Sequence, residues 1–147
     1  MKNQMRVNID TEDVLSPAAP AVQLTAERAR AILSAAEGAW HDRDADALAA
    51  AVHPDVRIRF NDLPEIRGRE DARAWIIHRM AVQKGYRLEK TLRGIDGNLI
   101  IGSWTGQWTD AETGEHWRGR GIELLALEDG LIREWDGVLH ARAEAKS

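Results

Sequence analysis

NLIIGSWTGQWTDAETGEHWRGRGIELLALEDG, residues 98–130, is the stretch on which the fold turns. A pleated strand sends successive side chains to opposite faces, so Ile100, Gly102, Trp104, Gly106 and Trp108 share one face, and Ser103, Thr105, Gln107 and Thr109 the other. Beyond the turn at 110–114 the alternation resumes: Trp117, Gly119, Gly121, Glu123, Leu125 and Leu127 oppose His116, Arg118, Arg120, Ile122 and Leu124. The tryptophan-bearing face is the interior one, because the other carries two arginines. The turn signals Asp96-Gly97-Asn98 and Glu128-Asp129-Gly130 extend this hairpin in both directions. Four strands are expected, near 86–95, 98–109, 115–127 and 131–140, forming an antiparallel meander. Tyr86, Leu88, Lys90 and Leu92 share a face of the first, and Trp135, Gly137 and Leu139 a face of the last.

Upstream the period changes. From Thr25, a plausible N-cap, Ile32, Ala36, Ala39 and Trp40 recur on one helical face as far as 41–43. Asp44 caps a short second helix carrying Leu48, Ala51 and Val52, and the turn His53-Pro54-Asp55 is expected to end it. Val56, Ile58 and Phe60 then alternate with Arg57, Arg59 and Asn61 as a strand over 55–61. A third helix runs from about Arg69 to Gln83, with Ala72, Trp75, Ile76 and Met80 inward and Gly85 as its stop. The fold class is α+β: three N-terminal helices packed on a curved, mainly antiparallel sheet, giving a cone-shaped half-barrel. Residues 1–23, with Ser16-Pro17-Ala18-Ala19-Pro20, read as a flexible leader, and residues 24–147 as a single domain.

The composition excludes several function classes. A net charge of −4 argues against nucleic acid, which requires basic residues clustered on one face. No apolar run reaches the roughly 20 residues of a membrane span, and the first residues lack the apolar core of a secretory signal. The absence of cysteine removes thiolate chemistry and disulfides, so the cytoplasm is the expected compartment. The histidines at 41, 53, 78, 116 and 140 form no ligand spacing, and no metal site is expected. Glycine loops for nucleotides and a serine nucleophile elbow are also missing, so neither nucleotide cofactors nor acyl-enzyme chemistry is expected.

Tryptophan supplies six aromatic residues, against one Tyr and one Phe. Their strand positions place Trp104, Trp108, Trp117 and Trp135 around Glu123, among glycines expected to leave open volume. Trp40, Phe60, Trp75 and Ile76 complete the expected wall of a pocket for a small apolar or aromatic molecule. An apolar wall disfavours a charged carboxylate and suits Glu123 to proton transfer. The competing reading pairs it with Arg118, Arg120 or Lys90 as a structural ion pair. Lys90, on the same inner face, and His140, near a strand end, are further catalytic candidates. Ile122 and Leu124 on the outer face suggest a homodimer contact.

Taken in order, Ala39-Trp40-His41-Asp42-Arg43-Asp44, His53-Pro54-Asp55-Val56, Ile66-Arg67-Gly68-Arg69-Glu70, Tyr86-Arg87-Leu88, Gly97-Asn98, Trp108-Thr109-Asp110, Gly121-Ile122-Glu123 and Asp129-Gly130-Leu131-Ile132 resemble the nuclear-transport-factor-2-like superfamily, in its SnoaL-like branch. The resemblance spans about residues 25–140. It implies the cone-shaped fold, a pocket between helices and concave sheet, frequent dimers, and chemistry without cofactors in many members. Isomerases, cyclases, dehydratases and epoxide hydrolases share the superfamily with plain binding modules, so fold alone does not select an activity. By the same resemblance, Glu123 falls where ketosteroid isomerase keeps its oxyanion-stabilising acid. That enzyme's base and tyrosine positions fall at Phe60 and near Ala36, so both groups are missing. The Asp-Arg-Asp set of limonene epoxide hydrolase falls at Ile100, Gly102 and Gly137, which cannot supply it. The sequence thus points to a lyase, isomerase or cyclase working without a cofactor, or else to a binding or dimerisation module of the same fold.

Overall fold

The computed structural model describes residues 23–145. The expectation of a flexible leader falls, apart from residue 23, outside them. Helix α1 (Ala26–His41) starts where the Thr25 hydroxyl accepts the Arg28 N–H at 3.1 Å, and α2 (Ala45–Ala50) where Asp44 accepts the Ala47 N–H at 3.0 Å. Each cap satisfies a donor that the first helical turn leaves without an intrahelical acceptor. Strand β1 (Val52–Phe60) and the two-residue β2 (Ile66–Arg67) follow. Helix α3 (Arg69–Val82) then leads directly into β3 (Gln83–Asp96), β4 (Leu99–Asp110), β5 (His116–Glu128) and β6 (Leu131–Ala143).

These strands form one open, curved sheet in the order β2-β1-β6-β5-β4-β3. The meander β3 to β6 is antiparallel throughout, and β1 joins it parallel to β6. The β5–β6 turn carries positive φ at both Asp129 and Gly130, as a two-residue type I′ connection requires. The expected turn at 53–55 is absent, because those residues belong to β1. Val52 pairs with Ile132 but Arg57 with Glu134, so the surplus residues of β1, Pro54 among them, bulge out of the ladder. A bulge is where a strand tolerates proline's missing N–H.

The three helices cover the concave face of the sheet. Ile58, Ile76 and Ile100, all fully buried, lie between the layers, and each such side chain contributes about 1.5–3 kcal/mol by leaving water. Helix α1 also guards the free edge at β3. Glu37 accepts the Lys90 N–H at 2.8 Å, and the His41 ring stands 3.0 Å from the Leu88 nitrogen. Two side chains thereby replace the neighbouring strand that an edge lacks.

Candidate active site

The register of β4 and β5 sets the site. Glu123 lies opposite Gly102 on β4 and Gly137 on β6, so a glycine flanks it on each side. Lys90 on β3 lies opposite Trp104, two residues along from Gly102 and on the same face. With no side chain at 102 to obstruct it, Lys90 reaches across β4, and its Nζ donates to Glu123 Oε2 at 2.5 Å. The two side chains are 5% and 3% exposed, so the pair is removed from bulk water. Of the three partners considered for Glu123, the structure selects Lys90. Arg118 and Arg120 point to the other face and are exposed.

The pair forms one wall of a cavity of about 180 Å³ between α1, α2 and the sheet. The remaining wall is apolar: Ile32 and Trp40 from α1, Leu48 from α2, Leu125 from β5, Ile132 and Trp135 from β6. Alanines at 35, 36, 39, 47 and 51 also line it, and their short side chains take up little of the space. The Trp135 indole nitrogen is buried without an acceptor among the described residues. A cavity of roughly 150 Å³ is enough for a benzene ring. The site therefore suits a single ring or the reacting end of a longer molecule.

Open volume over the strand glycines is not observed. A Cβ at Gly121 would lie 2.6 Å from the Trp104 ring, and one at Gly137 3.0 Å from the Phe60 ring. Likewise Gly119 lies under Trp108 and Leu139, and Gly106 under Tyr86. These glycines are seats for large side chains of the strands. Trp104, Trp108 and Trp117 accordingly do not border the cavity, nor do Phe60, Trp75 and the fully buried Ile76. Of the expected lining residues only Trp40 and Trp135 do so.

His140 is exposed on the outer face opposite Arg120, on the far side of the sheet from Glu123. It cannot join the pair. Two larger hollows, of about 920 and 810 Å³, lie on that outer face against exposed polar and charged side chains such as Arg87, Glu89 and Arg120. The smaller inner cavity is the better candidate, because it alone of the three contains a buried acid and a buried amine.

Sequence reasoning missed Glu37 and His41, which hold the main chain at Lys90 and at Leu88, and the alanines that line the space. An alanine-rich helix face was visible, but small residues there read equally well as helix propensity. Also missed was the approach of His53, Glu128 and Asp129, whose ligand atoms gather within 4.8 Å. His53 already pairs with Glu128 at 3.1 Å, and both acids are exposed.

Among the described residues no helix is long and apolar enough to cross a membrane. No curated protein matches the chain. Among solved structures, one from Jannaschia sp. CCS1, a SnoaL-like polyketide cyclase by name alone, is similar with a TM-score of 0.70 at 12% identity, over 84% of this chain and 91% of that one. An LEH-like epoxide hydrolase of M. tuberculosis is similar with a TM-score of 0.62 at 17% identity, over 78% and 84%. TerC, co-crystallised with polyporic acid, is similar with a TM-score of 0.67 at 16% identity, over 77% and 92%. At such identities the likeness is one of fold. The profile of the SnoaL-like domain matches residues 33–135, a range that holds both Lys90 and Glu123, and the chain belongs to that family.

Proposed function

We propose that this protein is a cofactor-independent enzyme of the lyase, isomerase or cyclase type, acting on an apolar or aromatic carbonyl-bearing metabolite held in the inner cavity. The observation that carries this reading is the Lys90–Glu123 pair, an ammonium and a carboxylate 2.5 Å apart on the wall of an apolar cavity. A substrate carbonyl entering the cavity competes with Glu123 for the Lys90 ammonium. The freed carboxylate takes a proton from the carbon beside the carbonyl, and Lys90 holds the developing enolate oxygen. Glu123 then returns the proton to another carbon, or the enolate expels a leaving group. The Trp135 N–H offers a second donor to an acceptor on the ligand. Cyclases and isomerases recur among the names of similar structures, which is consistent with such proton transfers.

The test needs no knowledge of the natural substrate. Small aryl ketones incubated with the protein in heavy water should exchange their α-protons for deuterium, followed by NMR. Glu123→Gln should slow exchange by about 10²-fold or more, with ketone binding retained. Exchange undiminished in that variant would refute the role. A second reading, a non-catalytic binding module, draws on the pair being closed on itself, each charge satisfied by the other. Binding by the wild-type protein without any exchange would favour it.

For the assembly we propose a homodimer through the outer face. Ile122 and Val138 lie opposite each other across β5 and β6 and are 54% and 59% exposed, with Leu124 beside them. This apolar row lies between a basic end at Arg118, Arg120 and Arg142 and an acidic end at Glu134 and Asp136. A two-fold axis through the row sets the basic end of one copy against the acidic end of the other.

A further inference from the structure

On the outer face of the sheet, two successive rungs run across all four strands of the meander. The first aligns Arg87, Gln107, Arg118 and Arg142, and the second Glu89, Thr105, Arg120 and His140. Both rungs border the hollow of about 920 Å³. Four arginines therefore face one hollow in a chain whose net charge is −4. Arg118 stands directly opposite Arg142, an arrangement of like charges that weakens a sheet rather than holding it together.

The acids at hand do not neutralise them. Arg118 donates to Glu144, but the side chains of Arg87, Arg120 and Arg142 have no carboxylate or hydrogen-bond partner among the described residues. Of the two glutamates on the hollow, Glu37 is engaged by the Lys90 N–H at 2.8 Å, which leaves Glu89 against three guanidiniums. In the dimer proposed above, the acidic end that meets this region is already committed: Glu134 and Asp136 lie 3.4 and 2.6 Å from Arg59 of their own copy. The surplus of positive charge thus survives in either assembly state. Thr105 and Gln107, on β4 between the arginines, add donors to the floor of the hollow.

We propose that the two rungs form a binding site for a diphosphate group, separate from the inner cavity on the opposite face of the sheet. Guanidinium forks pair with phosphate oxygens two at a time, which fixes orientation as well as charge. Arg120 and Arg142 sit diagonally on adjacent strands with backbones roughly 7–8 Å apart, within reach of one phosphate. Arg87 approaches from the far side of β4, two strand spacings or about 10 Å from Arg118, so engaging it as well calls for a second phosphate. The rungs span three strand spacings, roughly 14 Å, which suits a small ligand and not a length of nucleic-acid backbone. The site does not depend on Glu123 being catalytic.

Calorimetric titration of the full-length protein at low salt with inorganic pyrophosphate, orthophosphate and methyl diphosphate tests it. Pyrophosphate should bind once per chain and at least about 10-fold more tightly than orthophosphate, as one further charge-assisted hydrogen bond allows. Arg87→Gln and Arg120→Gln should each lower that affinity about 10-fold or more, with the fold retained by circular dichroism, since both side chains are exposed. Arg93→Gln, outside the hollow, and Glu123→Gln should leave it unchanged, so failure here and failure of the proposed chemistry are told apart. Methyl diphosphate binding at least as tightly as pyrophosphate assigns an esterified diphosphate as the ligand, and weaker binding assigns the free ion. No binding of pyrophosphate, equal affinities for pyrophosphate and orthophosphate, an affinity that survives Arg120→Gln, or an equal loss in Arg93→Gln would overturn the assignment. So would tighter binding of a single-stranded oligonucleotide, which would make this face a nucleic-acid surface.

Discussion

Strand periodicity separated the faces that carry Glu123 and Lys90 without knowledge of the neighbouring strand, and the two arginines opposite Glu123 marked its face as the inner one. That they touch was one of three pairings the sequence left open, and nothing in it chose between them. Contact requires β3 and β5 to be aligned across β4 with a glycine at 102 between them, and register is a tertiary property. The pair makes a stability prediction of its own. Lys90→Met should destabilise the fold by about 3–5 kcal/mol, because it strands a buried carboxylate, whereas Lys90→Met with Glu123→Leu should recover most of that loss. Chemical denaturation of the three proteins checks it, and a single variant as stable as the wild type would show that the pair is not buried in solution.

Among the elements, the strands were the most legible and their glycines the least. Trp-Gly alternation looks like vacant space when one strand is read at a time. In the sheet, Trp104 of β4 lies over Gly121 of β5, so bulk on one strand fills the gap on the next. The hollow lies instead beside alanines of α1 and α2. The bulge of β1 at Pro54 was read as a turn, because proline usually marks a strand's end. Gly121→Ala tests the interlock. Its Cβ would stand 2.6 Å from the Trp104 ring and 2.7 Å from the Val138 carbonyl oxygen. A loss of about 1–3 kcal/mol in thermal or chemical unfolding is expected from such overpacking. Unaltered stability would mean that the ring does not rest there.

For the whole molecule, the α+β class, the three helices and the four-strand meander followed from the sequence. The parallel junction of β1 with β6, which closes one side of the cone, did not, since nothing in either strand specifies that partner. The outer face carries the assembly prediction: Ile122→Lys with Val138→Glu should convert a dimer to a monomer in sedimentation, with the fold retained by circular dichroism. A wild-type monomer at all concentrations would contradict the proposed interface. The central claim is that the hollow beside Lys90 and Glu123 receives a ligand. Crystals grown with acetophenone test it most directly: the expected density places the ring against Leu48 and Trp135, with the carbonyl oxygen in hydrogen-bond reach of Lys90 Nζ. A cavity that holds no ketone at saturating concentration, with the Lys90–Glu123 bond unbroken, would contradict the claim.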